Sequence, residues 1–79
     1  MHFVYAIKSQ KDGRIYVGLS SDISRRISEH NSGHVFSTKG FRPWRLIYKE
    51  EVRDRKEARI REKYFKSGFG KELLKSIPL

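Results

Sequence analysis

Apolar and polar positions alternate from the start of the chain. Between His2 and Lys8, Phe3, Tyr5 and Ile7 fall on one side and Val4 and Ala6 on the other. Period-two patterning built from aromatic and β-branched residues predicts a strand. Because both sides are apolar, that strand is expected to be covered on both faces. Gln10-Lys11-Asp12-Gly13 reads as a tight turn, since Asp-Gly supplies the positive φ a hairpin needs. Arg14 to Gly18 is then the antiparallel returning strand.

The period changes after Ser20. Ser20, Ser21 and Asp22 are good helix N-caps, and Ile23, Arg26, Ile27 and His30 recur at i, i+3, i+4 and i+7 on one helical face. A helix from Ile23 to about His30 follows, ended at Asn31-Ser32-Gly33 by a left-handed residue. His34 to Pro43 has no periodicity and reads as a loop. Trp44 to Glu50 alternates again, Trp44, Leu46 and Tyr48 against Ile47, and predicts a third strand. Asp54-Arg55-Lys56-Glu57 resembles a capping box with Asp in place of Ser or Thr. The helix it opens runs to about Lys66, places Ala58, Arg61, Glu62 and Phe65 on one face, and stops at Ser67-Gly68. Gly70 to Ser76 is one further short helix, terminated before Pro78. The order β-β-α-β-α-α, without repeat, low-complexity tract or linker, predicts one α+β domain over residues 1–79: a small three-stranded antiparallel sheet flanked by helices.

With 79 residues, such a domain buries only about 60% of its unfolded surface. The chain has no cysteine, which excludes disulfide staples and thiolate zinc sites and is compatible with the cytoplasm. No apolar run approaches the ~18 residues of a membrane span. The N-terminus lacks a charged region followed by an apolar one, so no signal peptide is expected. The charge changes the picture most: 18 Lys and Arg against 9 Asp and Glu leave +9. Such a field attracts polyanions, of which nucleic acid is the commonest, although a generically basic protein has the same balance. An anionic membrane fits less well, because no helix pairs a basic face with a broad aromatic one.

Five side chains suggest chemistry. Tyr5 and Tyr16 lie on neighbouring strands, Arg26 and His30 are one helical turn apart, and Glu62 sits on the second helix. Phosphodiester hydrolysis needs a deprotonated nucleophile, cationic stabilisation of charge on phosphorus, and help for the leaving oxygen. A metal ion meets part of each need, and fixed cations meet another part at little reorganisation cost. Taken singly, each residue also has a structural reading. The tyrosines fit a half-buried strand, Arg26 a snorkelling stem, His30 a complement to a helix dipole, and Glu62 a solvated helix ion pair.

Taken in order, Phe3-Val4-Tyr5, Tyr16-Val17-Gly18 and an arginine in the following helix resemble the GIY-YIG nuclease family. The run from Gly18 through Asp22 to Arg26 matches that family's glycine, small polar cap and basic helix, and Ala58 to Lys63 matches its alanine-to-glutamate step. Arg42-Pro43-Trp44 and Lys66-Ser67-Gly68 resemble its small stand-alone members, relatives of the N-terminal nuclease domain of a bacterial excision-repair enzyme. Phe3 stands where the name-giving glycine would be. The downstream asparagine of larger relatives has no counterpart, Asn31 being the only asparagine, and nothing here is long enough to be their separate DNA-binding domain.

The resemblance implies an endonuclease that nicks nucleic acid, DNA rather than RNA. Glu62 would hold Mg²⁺ or Mn²⁺, and Tyr5, assisted by His30, would take a proton from water. Arg26 would supply the cation that a phenol of ordinary pKa about 10 requires, Tyr16 would position water, and Gly18 would be the motif glycine. Arg25, Lys39, Arg55, Arg59, Arg61, Lys63 and Lys66, with Arg53, Lys56, Lys71 and Lys75 nearby, would hold phosphates without reading sequence. Ser37-Thr38-Lys39 is a further candidate for phosphate contact. Two rival readings stay open: a non-catalytic nucleic-acid-binding module of the same fold, and a domain active only with a larger partner protein.

Overall fold

A computed structural model describes residues 2–77 as a three-stranded antiparallel sheet with helices on both faces. The chain runs β1 (His2–Ser9), β2 (Ile15–Ser20), α1 (Ile23–Asn31), a 3₁₀ turn (Lys39–Phe41), β3 (Trp44–Val52), α2 (Arg55–Lys66) and α3 (Gly68–Lys75). This is the expected α+β order. Pro78, expected to terminate the last helix, lies outside the described residues.

The sheet order is β2-β1-β3, so the first strand is central and β2 is an edge. The double-sided apolar pattern of β1 follows from that position. Tyr5 and Ile7 pack on one face with Trp44, Tyr16, Ile23, Ile27, Phe41 and Leu46. Val4 and Ala6 pack on the other with Val17, Val52, Ala58, Phe65 and Leu74. Hence α1 and the loop after it cover the first face, and α2 with α3 cover the second.

Caps fix the ends of these elements. Gly13 sits at φ +80° in the hairpin turn and Gly33 at φ +85° just past α1, the left-handed region that favours glycine. Asp22 accepts from the Arg25 N–H at 3.1 Å and Asp54 from the Glu57 N–H at 2.8 Å. Ser67 closes α2 and caps α3 with one residue, its hydroxyl accepting from the Gly70 N–H at 3.3 Å. A Cβ on Gly70 would overlap the Tyr64 carbonyl and the Phe65 Cα, so α2 and α3 meet this closely only through glycine.

The third strand departs from simple alternation. Ala6 pairs with Tyr48 while Ile7 pairs with Leu46, leaving Ile47 as an inserted residue. A bulge changes the parity of every residue beyond it. Trp44 and Leu46 therefore face α1, whereas Tyr48 joins the α2 side with its ring 5.1 Å from that of Phe65. The expectation that Trp44, Leu46 and Tyr48 share a face holds only up to the bulge.

Candidate active site

Tyr5 is the central strand's contribution to the α1 face, and it is 1% exposed. Its cross-strand partner is Gly18, and that pairing explains the glycine. A Cβ at Gly18 would lie 2.6 Å from the Tyr5 hydroxyl oxygen and 3.0 Å from Tyr16 Cε1. The phenol of Tyr5 thus lies over bare backbone, where any other residue would displace it.

From there the hydroxyl reaches His30 on α1, with Oη and Nε2 2.7 Å apart, and His30 is wholly buried. Its other ring nitrogen, Nδ1, lies 2.8 Å from the Thr38 hydroxyl oxygen. That hydroxyl also lies 3.3 Å from the Val35 carbonyl. With Nδ1 protonated, Nε2 accepts from the Tyr5 O–H; with Nε2 protonated, the ring donates to the Tyr5 oxygen and accepts from Thr38. Burial, followed by the charge of Arg26, pushes the His30 pKa below its ordinary value, in keeping with a neutral ring. Burial also raises the Tyr5 phenol to about 12, although Arg26 acts to lower it. Both shifts favour the uncharged pair.

Tyr16 completes the cluster from the edge strand. Its ring lies edge-on to His30 at 5.0 Å between centroids and 6.4 Å from Tyr5. Being only half-buried, it is the phenol of the pair that meets solvent. Arg26, one turn before His30, is partly exposed and donates to Glu29 at 3.0 Å. The structure therefore brings Tyr5, Tyr16, Arg26, His30 and Gly18 together.

Glu62 is placed elsewhere. It lies on α2, which covers the opposite face and leans chiefly on β2 and β1. Its half-buried carboxylate is paired with Lys66 at 3.2 Å. Among the described residues no group of three or more His, Cys, Asp or Glu side chains converges. Magnesium is commonly held by one or two carboxylates together with waters and substrate phosphates. A lone, partly exposed glutamate beside a basic surface fits that donor set and would not fit a closed protein cage.

The basic residues divide. Arg25, Lys39, Arg55, Arg59 and Lys63 are exposed. Arg61 is not available in the same way, since it donates through Nε and Nη2 to Glu50 at 2.6 and 2.9 Å. Glu50 also accepts from the Tyr48 hydroxyl at 2.7 Å, and the Arg61 guanidinium holds its carboxyl below the usual range.

Two residues acquire roles that periodicity does not announce. Thr38, 1% exposed, orients His30 instead of facing a phosphate, and its carbonyl accepts from the Trp44 indole N–H at 2.8 Å. Asn31 joins α1 to β3, accepting from the Trp44 N–H at 2.6 Å and donating to the Trp44 carbonyl at 3.1 Å. The only sequence signal for Thr38 is a small hydroxyl residue in the loop beyond the histidine.

Residues 1–75 match the family described as the GIY-YIG catalytic domain. The chain is 39% identical over 77 residues to a UPF0213 protein of Staphylococcus saprophyticus, covering 96% of this chain and 93% of that one. It is 45% identical over 62 residues to a UPF0213 protein of Desulfotalea psychrophila, a match spanning 76% of this chain and 56% of the relative. The solution NMR structure of a UPF0213 protein from Bacillus halodurans superposes with a TM-score of 0.56 at 36% identity, covering 92% of this chain and 80% of that one.

Proposed function

This chain belongs to the GIY-YIG family, a family of nucleases, and from that premise we propose that it hydrolyses nucleic-acid phosphodiesters, nicking DNA in a reaction dependent on Mg²⁺ or Mn²⁺. The observation that carries the proposal is the buried chain of contacts Tyr5–His30–Thr38, with Tyr16 and Arg26 beside it. A buried phenol takes a hydrogen-bond partner in any case; what favours chemistry here is that the partner is a titratable imidazole, with a second, solvent-facing phenol and a cation beside it.

In this reading the attacking water gives its proton to Tyr5 Oη as the phenol's own proton moves to His30 Nε2. Neither tyrosinate nor imidazolium is favoured alone, given the direction of both shifts, so the two transfers are concerted. The imidazolium so formed remains bonded to Thr38 through Nδ1–H. Tyr16 positions the water, and Arg26 stabilises charge on the phosphoryl oxygens. Glu62 would hold the divalent cation, whose chemistry when bound is to polarise the phosphoryl group. The tyrosine face and the α2 face share the edge strand β2, and the proposal places the substrate phosphate around that edge. Arg25, Lys39, Arg55, Arg59 and Lys63 would hold flanking phosphates. We place the protein in the cytoplasm, in DNA repair or maintenance; among the described residues, no helix is long and apolar enough to cross a membrane.

The test is nicking of supercoiled plasmid in Mg²⁺ or Mn²⁺, with Glu62→Ala purified in parallel from the same host. Nicking by the wild type that disappears in the variant is the expected result. Salt-sensitive binding without nicking would overturn the enzyme reading in favour of a binding module, and equal nicking in both would mark a contaminating host nuclease and leave this protein with no nicking of its own.

A further inference from the structure

The loop between α1 and β3 carries more than Thr38. Two residues before that buried anchor stands Phe36, 88% exposed, with the Lys39 ammonium 5.9 Å from its ring centroid. The loop that presents it is well tied. Thr38 and Lys39 donate their N–H groups to the Val35 carbonyl at 3.1 and 3.0 Å, and Phe41 donates to the Thr38 carbonyl at 3.1 Å. The Ser9 hydroxyl holds the Phe41 carbonyl at 2.6 Å. Phe36 is therefore displayed by an ordered frame that also fixes His30.

Beside it lies an open groove of about 490 Å³ lined by Lys11, Asn31, Lys39, Gly40, Arg42 and Pro43. Three of those six residues are cations and none is an acid. Lys11 comes from the β1–β2 turn and is held across the groove by donating to the Gly40 carbonyl at 3.3 Å. Arg42 donates through Nε to the Lys39 carbonyl at 2.7 Å. The groove has the charge of a phosphate track, and Lys39 belongs both to it and to the exposed aromatic ring.

Cations that follow a backbone beside an aromatic face make the surface on which single strands bind, because every base has a π-face to stack and a paired base has none to spare. We propose that Phe36 stacks on an unpaired base while Lys11, Lys39 and Arg42 hold the adjoining phosphates, so that the substrate class is single-stranded or flapped nucleic acid. The inference rests on the nuclease reading above for what happens next to that base, but not for the binding itself.

The test uses binding in a chelating buffer, where no cleavage occurs. A single-stranded oligonucleotide carrying 2-aminopurine and the matching closed duplex are titrated with wild type, Phe36→Ala, Phe36→Trp and Lys11→Gln/Arg42→Gln. Phe36 is too exposed for its replacement to threaten the fold. The wild type is expected to prefer the single strand and to change the 2-aminopurine emission. Phe36→Ala should lose roughly 5- to 100-fold in single-strand affinity, the worth of one stacked base, with duplex affinity unchanged. Phe36→Trp should restore binding, and Lys11→Gln/Arg42→Gln should weaken both ligands and flatten the salt dependence. Equal single-strand binding by wild type and Phe36→Ala, or preference for closed duplex, would overturn the proposal. Phe36-dependent binding by a protein that never cuts would support it while overturning the nuclease reading.

Discussion

Gly18 and Tyr5 are a single device. The glycine is needed less for its own conformation than for the phenol it leaves room for, 2.6 Å from where a Cβ would be. Gly18→Ala should destabilise the fold by about 1–3 kcal/mol through overpacking. It should also lower nicking by roughly 10²-fold by misplacing the phenol, as checked by thermal melts and the plasmid assay; an alanine variant with normal activity would separate the glycine from the tyrosine. His30 gives a second prediction at this scale. Its folded pKa lies below its ordinary 6.5, so the unfolded chain takes up the proton first. Stability from the neutral ring is intact above about pH 7 and is lost as pH falls below about 6.5. Melts between about pH 7 and 5 should show that decline, and it should be shallower in His30→Gln. Tyr5, Tyr16, Arg26 and His30 were legible in the sequence because strand pairing and one helical turn bring them together locally. Thr38 was not, because its partner is chosen by how a non-periodic loop closes over α1.

At the scale of elements, the strands and helices followed from periodicity and caps. The reversal of Tyr48 did not, because a bulge leaves no mark in the alternation before it. The fate of Arg61 is the other case. On α2 alone it is one more cation in a basic row, and only the packing of α2 on β3 shows that Glu50 takes it with two hydrogen bonds. Arg61→Ala should cost about 1–2 kcal/mol, the pair being partly exposed. Exposed Arg59→Ala should change stability by no more than about 0.5 kcal/mol. The order should invert for nucleic-acid affinity, with Arg59→Ala the more damaging; chemical denaturation and an oligonucleotide titration of the same two variants check both halves. Equal effects in both measurements would contradict the division between a structural and a binding arginine.

At the scale of the molecule, the sheet separates two groups of residues. One face carries Tyr5, Tyr16, Arg26 and His30, and the other carries Glu62 within a basic helical surface. The +9 charge brings a polyanion to both, and the edge strand β2 is the boundary they share. Sequence showed the fold and the side chains that meet beside α1 but not this partition, because which face a helix covers depends on the central position of β1.

In the proposed reaction Tyr5 is the group that accepts the water's proton. The most direct measurement is single-turnover nicking by Tyr5→Phe, with the fold verified by its NMR spectrum and nucleic-acid binding measured alongside. Removing one hydroxyl leaves the ring, its packing and the basic surface in place. If Tyr5 has that role, binding is unchanged and the rate falls by about 10²–10⁴-fold, the usual worth of general base catalysis. Nicking within about twofold of the wild type would contradict it and leave the hydrogen bond between Tyr5 and His30 a matter of packing alone.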